Sequence, residues 1–434
     1  MSGRSRIEAL VKAISRKTGM IFKDLTSAVQ ELAEGYTDAV SASSAINDGK
    51  CQSGCRLTAL LRFINKVTGT NHPDITRGVQ TLVDGYGTEP SVFLYSFGAV
   101  SDTHIQYGPT PDGGYDGVED LKRALSYFDD KVDFICVCGD LISDARPEYM
   151  AQYKSIVTDP TLTTKPIYES AGNHETYPAQ GVAGEIDKAV WEDTTGWANH
   201  LANGCVGDSL YYYFTKGDDI FIMLSLVNAA KKEGSGQYGA FADGALDWLE
   251  DLLEANQNKR CFVFQHVNDR NDIAADPSRG YSDMLDGSDG VRFVGLMKQY
   301  KNAVWFHGHT HLSIAWGLDA AGYKIANDDY TPISTALGYK SVHIPSLQGV
   351  RFYNPTTNGV ITSYKFYGSD GETYEASGGQ YSEGYIVDVY NNKIVVRGID
   401  FAVLKYTPSW EAYYEVAPME NKVFTLNTRL RARQ

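Results

Sequence analysis

A chain of 434 residues, 43% hydrophobic and 21% charged, has enough apolar material for a sizeable core and is not the composition of a disordered protein. Its formal charge of −15 is uneven: residues 1–90 carry 11 Lys/Arg against 9 Asp/Glu, and residues 91–434 carry 28 against 45. The acidic remainder makes extended, sequence-independent nucleic-acid binding a poor expectation.

The first element met along the chain is a repeat. Ala9-Leu10-Val11-Lys12 matches Ala59-Leu60-Leu61-Arg62 at an offset of 50 residues, and Ile14, Thr18 and Gly19 recur as Ile64, Thr68 and Gly69. Asp24-Leu25-Thr26 then matches Asp74-Ile75-Thr76, while Val29-Gln30, Leu32 and Gly35-Tyr36 recur as Val79-Gln80, Leu82 and Gly85-Tyr86. One offset shared by so many positions indicates duplicated structure. Leu10 and Ile14 fit one helix face, and Leu25, Val29 and Leu32 fit a second, with Asp24 or Thr26 near its start and Gly35 near its end. Two short helices are marginal alone, so the copies should pack on each other or on another subunit. The repeated ending Leu-Ala-Glu-Gly-Tyr and Leu-Val-Asp-Gly-Tyr-Gly resembles short helical segments of bacteriophage and prophage structural proteins. That resemblance implies attachment to a phage particle or homo-oligomerisation through residues 1–86.

The small and polar stretch 39–54 suggests a connector, as does 87–90. Cys51 and Cys55 fall at the first of these, spaced unlike a redox CxxC and without further ligands for a zinc knuckle. Residues 91–402 are expected to form one catalytic domain, and 403–434 an extension packing on the enzyme or a partner. Val92–Phe97 reads as a strand leading to Asp102 and His104. Leu121–Phe128 reads as a helix. Phe134–Cys138, a strand with Cys136 and Cys138 on one face, leads to Asp140, and Pro166–Ser170 leads to Asn173. Tyr211–Phe214 and Ile220–Leu226 read as paired strands, and Ala245–Leu253 as an amphipathic helix. Cys261–Phe264 leads into His266, and Ala303–Phe306 into His309 and His311. Ile386–Tyr390 and Lys393–Val396 flank Asn391-Asn392 as a hairpin. Polar residues recurring at strand exits are the pattern of an α/β enzyme whose sheet positions loop-borne groups.

Asp102-Thr103-His104, Gly139-Asp140, Gly172-Asn173-His174-Glu175, Gln265-His266 and Gly308-His309-Thr310-His311 follow in that order. Carboxylates, imidazoles and one amide oxygen suit divalent Mn, Fe, Zn, Co or Ni better than a thiolate-bound cluster. The ordered set resembles the calcineurin-like metallophosphoesterases. The resemblance implies a four-layer αββα sandwich with two mixed sheets and a dinuclear centre at the strand ends. Asp102, His104 and His311 would hold one ion, Asn173, His266 and His309 the other, and Asp140 would bridge them. It implies hydrolysis of a phosphomonoester or phosphodiester, in a small molecule, a protein or another substrate, by metal-activated water. His174 would act on phosphate or the departing oxygen, with Asp102 a partner orienting its imidazole. A second reading is an assembly-associated binding protein with a weakly active fold of this kind.

The second motif departs from the family pattern, since Ser143 stands where many relatives carry Asp or Asn and Asp144 falls one residue later. Arg146 is likewise displaced, so no phosphate-binding role passes to it. His307 reads as a strand-end residue, and His72, His200 and His343 as surface or structural histidines. Ile7–Ile14 is too short and too charged for a signal peptide or a membrane span, and no later apolar run reaches spanning length. A cytoplasmic or virion-associated protein is therefore expected.

Overall fold

In the computed structural model the described residues are 11–12, 14, 25–33, 58, 60–65, 72–85, 91–106, 117–177, 185–228, 240–269, 271, 285, 287–318, 321, 323–326, 331–335, 337–354, 359–361, 363–367, 373–377, 381–406 and 412–428. The connectors expected at 39–54 and 87–90, with Cys51 and Cys55, lie outside them. Among the described residues no helix is long and apolar enough to cross a membrane.

Two compact units divide the chain: residues 1–94 with 389–395 and 424–434, and residues 95–388 with 396–423. In the first, the helices Leu25–Ala33 and Ile75–Gly85 pack on each other. Positions matched by the repeat are buried in both copies, Ile14 with Ile64 and Val29 with Val79. The Asp74 carboxylate accepts the Arg77 N–H at 2.9 Å, the cap expected at the start of the second helix.

Among the described residues thirteen strands build two large sheets. They are β1 (Phe93–Val100), β2 (Phe134–Cys138), β3 (Ile167–Ser170), β4 (Val206–Asp208), β5 (Tyr211–Lys216), β6 (Asp219–Leu224), β7 (Cys261–Phe264), β8 (Ala303–His307), β9 (Ile333–Ser334), β10 (Lys340–His343), β11 (Glu383–Tyr390), β12 (Lys393–Tyr406) and β13 (Ala412–Asn427). The first sheet runs β13-β12-β11-β1-β2-β3, and the second β9-β10-β8-β7-β6-β5-β4. β1, β2 and β3 are mutually parallel, as are β6, β7, β8 and β10, while β4–β5, β5–β6 and β9–β10 are antiparallel. Parallel neighbours need crossovers. Helices Val118–Phe128, Pro147–Val157, Ala245–Ala255 and Gly287–Gln299 supply them.

Each crossover helix buries its apolar stripe on the outside of a sheet. Leu121, Ala124, Leu125 and Phe128 join Met150, Tyr153 and Ile156 over Val100, Ile135, Val137 and Ile399 of the first sheet. Leu246, Leu249 and Leu253, with Phe293 and Leu296, cover Ile222, Val263 and Trp305 of the second. The inner faces meet through rings: Phe97 lies 5.3 Å from Phe221 and 5.8 Å from Phe306, and Phe134 lies 4.9 Å from Phe221. Strand periodicity explains the division, since in β2 Phe134 faces the rings while Ile135 and Val137 face the helices. The result is an α/β sandwich of two mixed sheets flanked by helices and preceded by a small helical module.

Two features had no counterpart in the sequence reading. Residues 316–377 add three small hairpins after the last histidine pair, Trp316–Leu318 with Lys324–Ala326, Phe352–Asn354 with Gly359–Ile361, and Ser363–Tyr367 with Thr373–Ser377. β12 continues past position 402 to Tyr406, and β13 forms the edge of the first sheet.

Candidate metal centre

The parallel strands of both sheets point their carboxyl ends the same way, and each expected site residue follows such an end within a few positions. Asp102 and His104 follow β1, Asp140 follows β2, Asn173 and His174 follow β3, His266 follows β7, and His309 and His311 follow β8. The two sheets are tied together there, for the Cys138 carbonyl at the end of β2 accepts from His266 Nδ1 at 2.6 Å.

The side chains converge. His311 Nε2 lies 3.0 Å from Asp102 Oδ1 and 3.0 Å from His104 Nε2. His266 Nε2 lies 3.0 Å from Asp140 Oδ2, and the His104 and His174 Nε2 atoms each lie 3.8 Å from the same oxygen. Three overlapping groups bring their donor atoms within 4.8 Å of one another: Asp102, His104 and His311; His104, Asp140 and His174; Asp140, His266 and His309. Asp140 belongs to two of them. Asn173 is held at the same carboxylate, because the next residue, His174, donates its N–H to Asp140 Oδ1 at 2.9 Å.

Left-handed backbone at non-glycine residues concentrates at these positions. Among the described residues, the non-glycine residues with positive φ are Asp102 (55°), His104 (43°), Asp140 (51°), His309 (74°) and His311 (59°). Each left-handed residue costs roughly 1–2 kcal/mol, so such strain persists only where surrounding structure enforces it. Gly139 serves the same geometry: its φ is 77°, and a Cβ there would lie 2.5 Å from the His266 ring.

A cation fits the donor set. Asp102 Oδ1, Asn173 Oδ1 and His266 Nε2 are buried without a hydrogen-bond partner despite their close approaches. His266 Nδ1 faces the Cys138 carbonyl and His311 Nδ1 faces Gly349 O at 3.2 Å, so in the neutral rings Nδ1 carries the proton and the Nε2 lone pairs face the carboxylates. Lone pair against carboxylate is repulsive unless a positive charge lies between them. Burial would raise the Asp102 and Asp140 carboxyls, but the imidazoles of His311 and His266 beside Asp102, and of His266 and His174 beside Asp140, hold both below the usual carboxylate range. Burial lowers His266, yet Asp140 and Asp102 outweigh it and push the ring up to about 10. Burial and the neighbouring His174 take His104 down to about 4, and burial also lowers His311. Two carboxylates that stay ionised among converging imidazole nitrogens are suited to one or two divalent cations.

The surrounding contacts include groups the motifs did not single out. The buried Glu175 carboxylate accepts four backbone N–H groups, from Asp140 at 3.1 Å, Leu141 at 2.6 Å, Ile142 at 3.2 Å and Gly172 at 2.6 Å. It thereby fixes the Asp140 and Asn173 turns to each other. Burial and the Asp140 charge raise Glu175 to about 7. Residues 346–351 brace the other side: Gln348 N–H donates to Asp102 O at 3.0 Å, and Arg351 N–H to His311 O at 2.7 Å. Buried His343 meets Thr310 Oγ1 at 3.2 Å, between the two histidines of the last motif. A motif scan could flag Glu175 by adjacency, whereas residues 346–351 carry no local signal.

Ser143 O receives His174 Nδ1 at 2.5 Å, and Ser143 Oγ donates to His104 O at 2.9 Å. The group orienting His174 is therefore Ser143 rather than Asp102, whose Oδ1 faces His311 and His266 while its Oδ2 accepts the His309 N–H at 3.1 Å. Asp144 turns away to pair with Arg146 at 2.8 Å.

Comparison with known proteins places this geometry. The family model described as calcineurin-like phosphoesterase matches residues 95–313, half of the chain. That span lies outside the repeat, so the phage and prophage resemblance gains nothing from it. No curated protein matches the chain. Among solved structures, a dimetal phosphatase from Danio rerio is 11% identical with a TM-score of 0.45, over 78% of this chain and 100% of that one. A purple acid phosphatase from yellow lupin (Lupinus luteus) seeds is 13% identical with a TM-score of 0.43, over 77% of this chain and 53% of that one.

Proposed function

The chain belongs to the calcineurin-like phosphoesterase family, and from that premise we propose that it hydrolyses a phosphomonoester or phosphodiester with two divalent cations of the Mn, Fe, Zn, Co or Ni class. The observation that carries the proposal is the sharing of buried Asp140 between two donor groups, at a turn held in the left-handed region. In this reading Asp102, His104 and His311 would hold one cation, Asn173, His266 and His309 the other, and Asp140 would be shared by both. When bound, such a pair of cations polarises phosphoryl oxygens and lowers the pKa of water.

The protein's own groups then divide the remaining work. Nδ1 protons given to Cys138 O and Gly349 O keep the His266 and His311 Nε2 atoms available as ligands. His174 lies at the mouth of the cluster, its side chain 32% exposed, with Nδ1 fixed on Ser143 O and Nε2 facing inward. That nitrogen is the atom placed to contact a phosphoryl oxygen or, from the imidazolium, to pass a proton to the departing ester oxygen. Water supplies the new P–O bond, so no serine or cysteine nucleophile is required.

The test is turnover of the full-length protein, loaded with each candidate metal, on a broad panel of mono- and diesters. Chelation should abolish hydrolysis and readdition restore it. His174→Ala should retain metal while losing roughly 10²–10⁴-fold in turnover. A fully metallated protein that hydrolyses nothing on the panel would favour a binding role for the fold, and full turnover in His174→Ala would remove that residue from the chemistry.

A further inference from the structure

His174 Nε2 can serve the reaction proposed above only if the plane of its ring is fixed, and its hydrogen bonds alone do not fix it. The main-chain N–H is held by Asp140 Oδ1 at 2.9 Å, and Nδ1 meets Ser143 O at 2.5 Å. One hydrogen bond to a ring nitrogen anchors a single atom, and a carbonyl oxygen accepts over a broad range of directions, so the ring could still pivot there and carry Nε2 with it. A misplacement of about 1 Å at a reacting atom costs on the order of 10²-fold in rate.

Two neighbouring rings restrict that pivot. The His104 imidazole stands at 87° to the His174 ring with centroids 4.5 Å apart, and the Tyr177 ring stands at 79° with centroids 5.3 Å apart. Both contacts have the edge-to-face geometry that aromatic pairs favour. His104 belongs to the donor cluster, so of the two only Tyr177 stands outside it. Tyr177 is itself anchored: its half-buried side chain packs on the hydrophobic cluster of the second sheet, its N–H donates to His174 O at 3.2 Å, and its carbonyl accepts from Ala145 N at 2.6 Å. That last bond ties the turn carrying His174 to the segment that supplies Ser143 O, so the ring wall and the Nδ1 acceptor are held as one unit.

We propose that Tyr177 is a positioning residue for this site, its ring holding the His174 imidazole in the plane that directs Nε2 toward the substrate. The inference rests on the phosphoesterase reading for the role of His174. What His174 meets is a ring, so phenylalanine should serve as tyrosine does. Leucine keeps apolar bulk against the hydrophobic cluster but removes the flat wall.

Two measurements on the full-length, zinc-loaded protein test this. In NMR spectra with isotope-labelled histidine, the His174 ring resonances, assigned by their loss in His174→Ala, should move in Tyr177→Leu and stay in place in Tyr177→Phe. In steady-state kinetics, Tyr177→Leu is expected to lower kcat roughly ten-fold at unchanged KM and metal content, with Tyr177→Phe near wild type. Introduced into His174→Ala, Tyr177→Leu should cost nothing further, because the group it positions is gone. A matching loss in both backgrounds, as a merely structural role gives, overturns the proposal. So do unmoved His174 resonances in Tyr177→Leu, or a Tyr177→Phe variant as impaired as Tyr177→Leu. A wild-type protein that turns over no ester, in which Tyr177→Leu still moves the His174 resonances, would uphold the positioning of the imidazole and defeat the proposed function instead.

Discussion

Two buried charged clusters lie at opposite ends of the same strands and are built on opposite terms. Where β6 and β7 begin, Asp219 accepts from Arg260 Nε at 2.9 Å and from Tyr95 OH at 2.5 Å, with a further contact from Arg260 Nη2. Carboxylate meets guanidinium, both Asp219 oxygens are engaged, and the residues have ordinary φ. Where the strands end, Asp102 and Asp140 meet imidazoles, donor atoms lack hydrogen-bond partners, and five residues take left-handed backbone. The first cluster is electrostatically complete and serves as a clamp. The second is complete only with added positive charge, and that difference, rather than burial or acidity, distinguishes a binding centre from a structural ion pair.

The largest expected effect would come from removing the shared charge. Asp140→Asn is expected to lower turnover on the order of 10³-fold and to reduce bound metal measured by plasma emission. Retention of two equivalents with normal rates would mean that Asp140 is not shared. At the other end, Asp219→Asn should lose about 3–5 kcal/mol in denaturant unfolding, since it leaves Arg260 buried without its charge partner. Turnover per folded molecule should hold steady there, and a matching drop in turnover would erase the contrast between the clusters.

Smaller effects sharpen the boundary of the centre. Glu175→Gln keeps one acceptor oxygen for four N–H donors, so metal affinity should fall by about 10–100-fold in a chelator competition, with the cluster residues themselves intact. Glu383 lies further out, its carboxylate taking Ser313 Oγ–H at 2.6 Å and Ile314 N–H at 2.8 Å. Burial raises it to about 7, above its unfolded value of 4.5. A raised folded value means that its contribution is full below about pH 4.5 and is lost as pH rises through about 7. Thermal and urea unfolding of wild type against Glu383→Gln should therefore diverge over that window by roughly 1 kcal/mol per pH unit. Parallel curves would show that Glu383 stays ionised.

The sequence disclosed what is local. β2 and β7 appear where Phe134–Cys138 and Cys261–Phe264 were expected, and the stripe Leu246, Leu249 and Leu253 faces the second sheet as its spacing required. The residues following those strands come together because parallel strands deliver their ends to one side. What escaped notice depends on pairings made across the chain. Glu175 reaches back 35 residues to the Asp140 turn, Gly349 back 38 residues to His311, and the orienting partner of His174 is a main-chain carbonyl that any residue at 143 would present. β13 is of the same kind, an edge strand that the sequence reading treated as an appendage.

The left-handed turns also set how substitutions at the centre are to be read. Alanine at 309 or 311 deletes an imidazole yet keeps a Cβ in a conformation L-residues resist, so its measured loss mixes missing coordination with steric load. Glycine deletes the same imidazole and sits there without that load. The gap between the glycine and alanine variants at one position therefore measures the tension held in the turn, and the loss remaining in glycine is closer to what the ligand itself contributes.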